Sequence, residues 1–272
     1  PLTKVWGNGA LWAFLGAFSL MMGLMPWLPP LRRAKAAQID LDHCNGCTRC
    51  AEDCPYEAIK MVRRTDNLPF PVQAEVNPSL CVSCGICVGS CPSSTPFRRT
   101  EELKTGIDLP DYSLRELRER VVDTAGNLSG PGRVLVLACE HGAAGGRLGD
   151  TVVMPCVAMA PPSLIDFILS RDLADGVVVA GCAESACFNR LGVQWTEQRF
   201  AAERDPYLRA RVPRERIATV WASALAVSKA EAEIADFAAR VAAMPPKRLR
   251  SPLPVSAPTP AAKTLETERG TT

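Results

Sequence analysis

The sequence predicts one transmembrane helix, then an α+β module, then an α/β domain built on a parallel sheet. An uncharged apolar segment lies near the start, two short runs of four cysteines follow it, and valine-rich runs alternate with helical patterns in the second half. We expect a transmembrane helix with its basic flank, a cysteine module, a linker with a helix, an α/β domain and a disordered tail. In that order these parts span residues 1–35, 38–96, 97–132, 133–244 and 245–272.

The apolar segment near the start predicts a membrane span. No charged residue lies between Lys4 and Arg32, and residues 11–28 are almost wholly apolar. About 20 such residues can cross about 30 Å of hydrocarbon, and the basic residues at 31–35 favour a cytoplasmic position for that end. We therefore expect the protein in the cytoplasmic membrane, with all later parts facing the cytoplasm. A signal or anchor sequence and a buried helix are the alternatives.

Two cysteine runs with the same spacing follow this segment. The first, HCNGCTRCAEDCP, contains Cys44, Cys47, Cys50 and Cys54, and the second, CVSCGICVGSCP, contains Cys81, Cys84, Cys87 and Cys91. The spacing C-x2-C-x2-C-x3-C-P is typical of [4Fe–4S] sites in which the fourth cysteine of each run binds the cluster of the other run. We expect one [4Fe–4S] cluster on Cys44, Cys47, Cys50 and Cys91, and a second on Cys54, Cys81, Cys84 and Cys87. Zinc usually takes two CxxC pairs instead, and such close cysteines are poorly placed for disulfides.

Residues Gln38–Pro96 therefore resemble the two-cluster ferredoxin family, which implies an α+β ferredoxin-like fold and an electron-transfer role. The chain departs from that family in the long insert between Cys54 and Cys81, where short strands are predicted at 58–62 and 72–76. We expect His43, just before the first run, to pack near the first cluster. In the following linker, residues 113–126 predict a helix with Ser113 as its N-cap.

The second half predicts a parallel sheet covered by helices on both faces. Four short apolar runs are predicted strands, and three amphipathic patterns are predicted helices. The strands lie at 133–139, 151–156, 176–182 and 217–223, and the helices at 163–173, 186–203 and 228–244.

Four more cysteines lie near the ends of these strands. Cys139, Cys156 and Cys182 end three strands, and we expect Cys187 one turn into the next helix. The carboxyl ends of parallel strands share one edge of a sheet, where ligands bind, and a [2Fe–2S] cluster takes four cysteines. The sequence thus predicts a [2Fe–2S] cluster on these residues. Buried structural cysteines are the alternative.

MPC at 154–156 and ADGVVVAGCAESACFNRLG at 174–192 resemble the delta-subunit family of methyl-viologen-reducing hydrogenases. This resemblance implies a [2Fe–2S] cluster and electron transfer between a hydrogenase and a heterodisulfide reductase. It implies that Cys156, Cys182 and Cys187 are ligands. Cys139 is the expected fourth ligand, with His141 as the alternative in the manner of Rieske ligation.

The opening segment resembles the last helix of a cytochrome b, where a PWL element like that at 26–28 ends the final span. The resemblance implies a haem-bearing, quinone-reactive membrane domain upstream. Because the chain begins at Pro1 rather than Met, we expect it to be part of a longer protein.

These observations predict a membrane-anchored iron–sulfur subunit of an oxidoreductase complex. It would relay single electrons between a cytochrome b-like or quinone-reactive membrane domain and a cytoplasmic hydrogenase- or heterodisulfide-reductase-like partner. A net charge of +2 gives no indication of nucleic acid binding, and no CxxCH, GxGxxG or P-loop motif indicates a substrate site of its own. The alternatives are a catalytic thiol/disulfide reductase that uses Cys182 and Cys187, and a redox sensor, for which no output domain is evident.

Overall fold

The structure is a computed structural model, and it describes five stretches of the chain. These are residues 9–24, 34–66, 68–94, 104–145 and 150–245. The chain divides into two compact units, residues 1–35 and 36–272. The predicted disordered tail lies outside the described residues from position 246 onward.

The first unit contributes one apolar helix, α1, at Gly9–Leu24. It has 16 residues, and at about 1.5 Å per residue it measures about 24 Å, less than the hydrocarbon thickness of a bilayer. In the described part of the chain, no helix combines the length and the apolar character that crossing a membrane requires. This finding contradicts the predicted transmembrane helix and the predicted location in the cytoplasmic membrane. Residues 25–28 of the predicted span, and the flanking residues 1–8 and 29–33, lie outside the described residues.

The cysteine module consists of two small antiparallel pairs of strands and two short helices. One pair joins β1 to β4, and the other joins β2 to β3. The elements in chain order are β1 (Gln38–Ile39), α2 (Arg49–Glu52), β2 (Ile59–Arg63), β3 (Val72–Val76), α3 (Ile86–Ser90) and β4 (Ile107–Asp108). The strands predicted at 58–62 and 72–76 are confirmed as β2 and β3, the first with a shift of one residue.

Helix α4 (Leu114–Asn127) connects the module to the sheet. The hydroxyl of Ser113 accepts a hydrogen bond from the backbone N–H of Glu116, which satisfies one of the donors left open at a helix start. Leu114, Leu117 and Val121 on one face of the helix are fully buried. Both the helix and its predicted N-cap are therefore confirmed.

A four-stranded parallel sheet with the order β6-β5-β7-β8 forms the α/β part, as predicted. Its strands are β5 (Val134–Cys139), β6 (Thr151–Met154), β7 (Gly176–Gly181) and β8 (Ile217–Trp221), and its helices are α5 (Pro162–Ser170), α6 (Gly192–Ala201) and α7 (Val227–Ala243). Alternate strand residues pack into two separate cores, the larger with α4 and α5 and the smaller with α7. Helices thus cover both faces, which buries the apolar strands on both sides.

The larger core extends from the sheet into the cysteine module. Cys87 and Val88 of α3 belong to the same buried cluster as Leu135 of β5 and Ile165 of α5. The two parts therefore share one hydrophobic core within the unit 36–272. The domain boundaries expected at 38–96 and 133–244 stay a prediction.

Candidate metal centres

The two cysteine runs follow the same backbone course. Counted from the first cysteine of each run, the third and fifth positions have left-handed backbone conformations. At the third position φ is 67° at Gly46 and 59° at Ser83, and at the fifth it is 68° at Thr48 and 76° at Gly85. A short helix then begins at the sixth position of each run. Because non-glycine residues adopt positive φ at some cost, the repeat of this course indicates two equivalent loops that wrap around two equivalent sites.

The first loop encloses one cavity with about 320 Å³ of empty space, part of it open to solvent. Four cysteines line it, namely Cys44, Cys47, Cys50 and Cys91. The pKa of the Cys50 thiol is raised to about 12. Burial is the largest cause, and the nearby sulfurs of Cys47, Cys91 and Cys44 add to it. The last cysteine of the second run thus lies with the first three of the first run.

The second loop encloses a similar cavity of about 340 Å³, also partly open. It is lined by Cys54, Cys81, Cys84 and Cys87. Burial raises the pKa of Cys84 to about 12, with Cys54 and Cys81 adding to the effect. Backbone N–H groups of Ala37 and Ala58 point at the sulfurs of Cys81 and Cys54, at 3.5 and 3.4 Å. The structure therefore groups the cysteines in the two sets expected from the exchange of fourth ligands, while their role as ligands stays a prediction.

The remaining four cysteines meet at the carboxyl edge of the parallel sheet. The sulfur atoms of Cys139 and Cys182 lie 3.7 Å apart, and Cys182 is hydrogen-bonded to Cys187. Cys156 is buried, and burial raises its pKa, with Cys187 and Cys182 among the neighbours that add to the effect. The structure thus brings together all four residues of the predicted third site.

Cys187 does not lie in a helix, contrary to the sequence prediction. It follows a 3-10 turn at Glu184–Ala186, and α6 begins only at Gly192. A Cβ atom at Gly192 would lie 2.3 Å from the sulfur of Cys156 and 3.5 Å from that of Cys187. The late start of the helix therefore places a residue without a side chain where these two cysteines meet.

The two histidines have partners of their own. His43 Nδ1 lies 2.7 Å from Oδ2 of Asp40, and His43 lines the first cavity. The ring of His141 stacks on Phe188, with 3.5 Å between ring centroids. Its Nε2 lies 3.1 Å from a carboxylate oxygen of Glu140. His141 is thus near the third cysteine group in sequence, and its role as an alternative ligand stays a prediction.

The three cysteine groups lie next to one another. Cys50 of the first group packs against the buried core that contains Cys87 of the second group. Cys84 of the second group packs against the small buried cluster that contains Cys156 of the third group. Tyr56 lines the second cavity and lies near Cys84, Cys156 and Cys187. The second group is therefore the middle one of three.

A buried ionic cluster, which sequence reasoning missed, joins the cysteine module to the α/β part. Asp53 and Arg199 are 2% and 1% exposed, and Arg199 Nη2 donates to Asp53 Oδ2 at 2.5 Å. Arg204 donates to the other carboxylate oxygen. The one indication in the sequence is the acidic residue Asp53 inside a cysteine run, directly before Cys54. No local pattern distinguishes it from a solvent-exposed aspartate.

Arg64 was also missed, although it holds the loop that leads into the first run. Its guanidinium donates to the backbone carbonyls of Leu41 and Cys44, and to the carboxylate of Asp66 at 2.7 Å. The Asp66 hydrogen bond raises the pKa of Arg64. The contact fixes the backbone at the first cysteine of the first cavity.

The two cysteine sets of the cysteine module fit iron–sulfur clusters. The chain holds all twelve cysteines within its described residues, and none forms a disulfide. Among these residues, no three His, Cys, Asp or Glu side chains are placed to share a single metal ion. A cluster of several iron and sulfide atoms is larger than one ion, and both cavities leave space between their cysteines. Crowded buried thiolates repel one another, and bound iron offsets that cost because it favours the deprotonated sulfur.

Two family models match the chain, and they match different parts of it. Residues 43–95 match a 4Fe-4S dicluster domain. Residues 149–245 match the delta subunit of methyl-viologen-reducing hydrogenase. Neither match includes the opening segment, so the cytochrome b resemblance gains no support from them. Cys139 also lies outside the second match.

Two curated relatives are similar over short segments. An uncharacterized polyferredoxin-like protein of Methanocaldococcus jannaschii is 39% identical over 59 residues, 20% of this chain and 35% of the relative. The pyruvate synthase subunit PorD of Methanothermobacter marburgensis is 59% identical over 29 residues, 11% of this chain and 36% of that subunit. The chain thus spans about a third of the length of each relative. Together with the dicluster match, these similarities support [4Fe–4S] clusters and an iron–sulfur electron-transfer role.

Proposed function

We propose that the electron-transfer role of the dicluster segment extends to a relay of three clusters within one chain. Two [4Fe–4S] clusters would occupy the two cavities, and a [2Fe–2S] cluster would occupy the third cysteine group. Electrons would pass between one redox protein at the cysteine module and a hydrogenase- or heterodisulfide-reductase-like partner at the α/β part.

The observation that carries this proposal is the packing of Cys84, of the second group, against the small buried cluster that contains Cys156 of the third group. If the cysteines of the α/β part were only structural, nothing would require them to meet the cluster cavity of a separate module. Tyr56 lines the second cavity, and its hydroxyl donates to the side chain of Asn189, two residues after Cys187, at 3.2 Å. This arrangement instead favours a continuous path.

The clusters, when bound, supply one-electron redox chemistry, and the protein sets their spacing and potentials. Backbone N–H groups do part of this by donating to the sulfur atoms, as Ala37 does to Cys81 and Ala58 to Cys54. Such hydrogen bonds stabilise negative charge on sulfur and tune the reduction potential. Burial of Cys87 and Cys91 excludes water from one side of the two cavities.

The partners are proposed from the matched families. The delta-subunit match favours a hydrogenase- or heterodisulfide-reductase-like protein at the α/β part. The two curated relatives, each similar over a short segment of the chain, are a polyferredoxin-like protein and a pyruvate synthase subunit. They favour a one-electron carrier or a ferredoxin-linked oxidoreductase at the other end.

The thiol/disulfide reductase alternative has one observation in its favour, the hydrogen bond between Cys182 and Cys187. That hydrogen bond and burial raise the pKa of Cys187. A nucleophilic cysteine needs the opposite, because the thiolate is the reactive form. Cys139, 3.7 Å from Cys182, also makes the group a set of four rather than a redox pair.

Iron and acid-labile sulfide, measured on protein purified without oxygen, test the proposal. About ten irons per chain are expected for two [4Fe–4S] clusters and one [2Fe–2S] cluster, with three paramagnetic signals on stepwise reduction. About eight irons would contradict the third cluster and leave the thiols of the α/β part for other chemistry. Colourless protein without a paramagnetic signal after dithionite would overturn the whole proposal.

A further inference from the structure

We infer that Asp53, together with Arg199 and Arg204, is a positioning joint that fixes the second cysteine cavity against the third cysteine group. The inference rests on the proposed relay, because it concerns the geometry between two of its sites. It assigns a role to residues that are not expected to touch any cluster.

The contacts of Asp53 leave its carboxylate fully paired inside the protein. Arg199 donates to Oδ2 at 2.5 Å, Arg204 donates to Oδ1, and the hydroxyl of Ser90 donates to Oδ2 at 2.6 Å. The indole N–H of Trp195 donates to the backbone carbonyl of Asp53 at 3.1 Å. Burying a charge is costly unless it is paired and hydrogen-bonded, and these contacts offset that cost for the Asp53 carboxylate.

The joint contacts three segments that carry predicted ligands. Asp53 directly precedes Cys54 of the second group, and Ser90 directly precedes Cys91 of the first group. Arg199 uses its other terminal nitrogen to donate to the carbonyl of Ala158 at 2.7 Å, two residues after Cys156 of the third group. Arg199 also donates to the hydroxyl of Ser90 at 2.8 Å, so its guanidinium contacts segments that carry cysteines of all three groups.

The packing around the joint leaves little room for an alternative arrangement. A Cβ at Gly89 would lie 2.0 Å from the carbonyl oxygen of Ala158 and 2.9 Å from Arg199 Nη1. The guanidinium of Arg204 lies 3.5 Å from the ring centre of Trp195. Helix α3 thus packs closely against the loop that follows Cys156, and we infer that the Asp53–Arg199 ion pair fixes the angle between this helix and this loop.

A plain structural ion pair is the competing explanation, and the chain offers a matched control for it. Asp166 is 5% exposed and is paired with Arg211 and Arg209. It lies in α5 and joins that helix to residues 209–211, so it connects two parts of the α/β domain and no cysteine segments. Asp166→Asn should therefore lower thermal stability without changing the relation between the second and third groups.

The test uses Asp53→Asn, the milder Arg204→Gln and the control Asp166→Asn in cluster-loaded full-length protein. Hydrogen–deuterium exchange is measured in residues 86–90 and 157–160, and the magnetic interaction between the second and third clusters is measured after reduction. We expect Asp53→Asn to speed exchange in both segments by about a hundredfold, because removing one partner of a buried pair is strongly destabilising. Arg204→Gln should have a smaller effect in the same segments, and the magnetic interaction should weaken in the same order.

The inference would be overturned if both segments exchanged in Asp53→Asn and Arg204→Gln at the rates of the wild-type protein. It would also be overturned if Asp166→Asn accelerated exchange in these segments as much as Asp53→Asn does. If Asp53→Asn does not fold, Arg204→Gln decides, since its side chain is partly exposed. A wild-type protein with about eight irons would contradict the proposed third cluster but not the joint, because the exchange measurement does not depend on that cluster.

Discussion

The sulfur atoms of Cys139 and Cys182 lie 3.7 Å apart at the ends of β5 and β7, neighbouring strands of the parallel sheet. The two residues are 43 positions apart in the chain. Parallel pairing brings them together, because it aligns the carboxyl ends of both strands at one edge. The loop after β6 adds Cys156 to this edge, and the turn after β7 adds Cys187.

Gly192→Ala should disturb the third cysteine group selectively. The new methyl group would lie 2.3 Å from the sulfur of Cys156 and must displace it. We expect iron to fall from about ten to about eight per chain, with both [4Fe–4S] signals retained. Gly126→Ala in α4 is the control, since no atom lies within 4 Å of its Cβ position, and it should add up to about 1 kcal/mol of helix stability. A Gly192→Ala protein with about ten irons would refute this role of the glycine.

Serine substitutions at the fourth cysteine of each run test the exchange of ligands between runs. Cys54 shares a cavity with Cys87, and Cys91 shares the other with Cys50. Cys54→Ser and Cys87→Ser should therefore lose the same [4Fe–4S] signal, with about four fewer irons each, and should keep the signal of the α/β part. Cys91→Ser should lose the other signal, measured by electron paramagnetic resonance. If Cys54→Ser and Cys50→Ser remove the same cluster, the exchange is wrong.

Arg64→Ala should weaken the first cluster site and spare the second. The guanidinium holds the carbonyls of Leu41 and Cys44, so its loss frees the loop that carries the first ligand. We expect the first cluster to bleach several-fold faster in air, followed as separate decays of the two signals. Arg63→Ala removes an exposed arginine from the same region, and its two decay rates should equal those of the unmodified protein. Equal bleaching in both variants would assign Arg64 no special role.

Ser113→Ala tests the cap of α4, the helix between the cysteine module and the sheet. Losing the hydroxyl that accepts from Glu116 N–H should cost about 1 kcal/mol of unfolding free energy. The measurement is anaerobic denaturant unfolding with clusters intact. Ser113→Asp keeps an acceptor at the same position and should restore most of the loss. Equal destabilisation by both substitutions would mean that the hydrogen bond does not stabilise the helix.

Local patterns in the sequence were enough to predict the cap at Ser113 and the strand ends at Cys139 and Cys182. Each of these depends on residues a few positions apart, or on the general alignment of parallel strands. The start of α6 was mispredicted because the residues after Cys187 have helical character, and only the approach of Gly192 to Cys156 reveals the turn. The pairing of Asp53 with Arg199 spans 146 positions, and no local pattern reports such a contact. Composition alone predicted a membrane span around α1, whereas no helix among the described residues is long and apolar enough to cross a membrane.

Asp108 makes stability depend on pH in a direction opposite to that of most carboxylates. Burial raises its pKa, although its carboxylate accepts hydrogen bonds from the N–H groups of Leu109 and Leu114. The folded protein therefore binds a proton more tightly than the unfolded chain, whose aspartates titrate near pH 3.9. The Asp108 carboxyl therefore contributes stability below the unfolded pKa of about 3.9. This contribution is lost as pH rises through the raised pKa of the folded protein.

Asp108→Asn keeps an oxygen acceptor for both N–H groups and removes the buried charge. At pH 7 the variant should therefore melt at a higher temperature than the unmodified protein, and the difference should shrink as pH falls through the raised pKa. Anaerobic thermal unfolding, followed from pH 8 downward through the acid range, measures this, with loss of the cluster absorbance followed in parallel. A variant that is less stable at pH 7, by a margin that grows with pH, would mean that the ionised carboxylate stabilises β4 and the start of α4. The sign of that margin thus separates a desolvated carboxylate from a capping one.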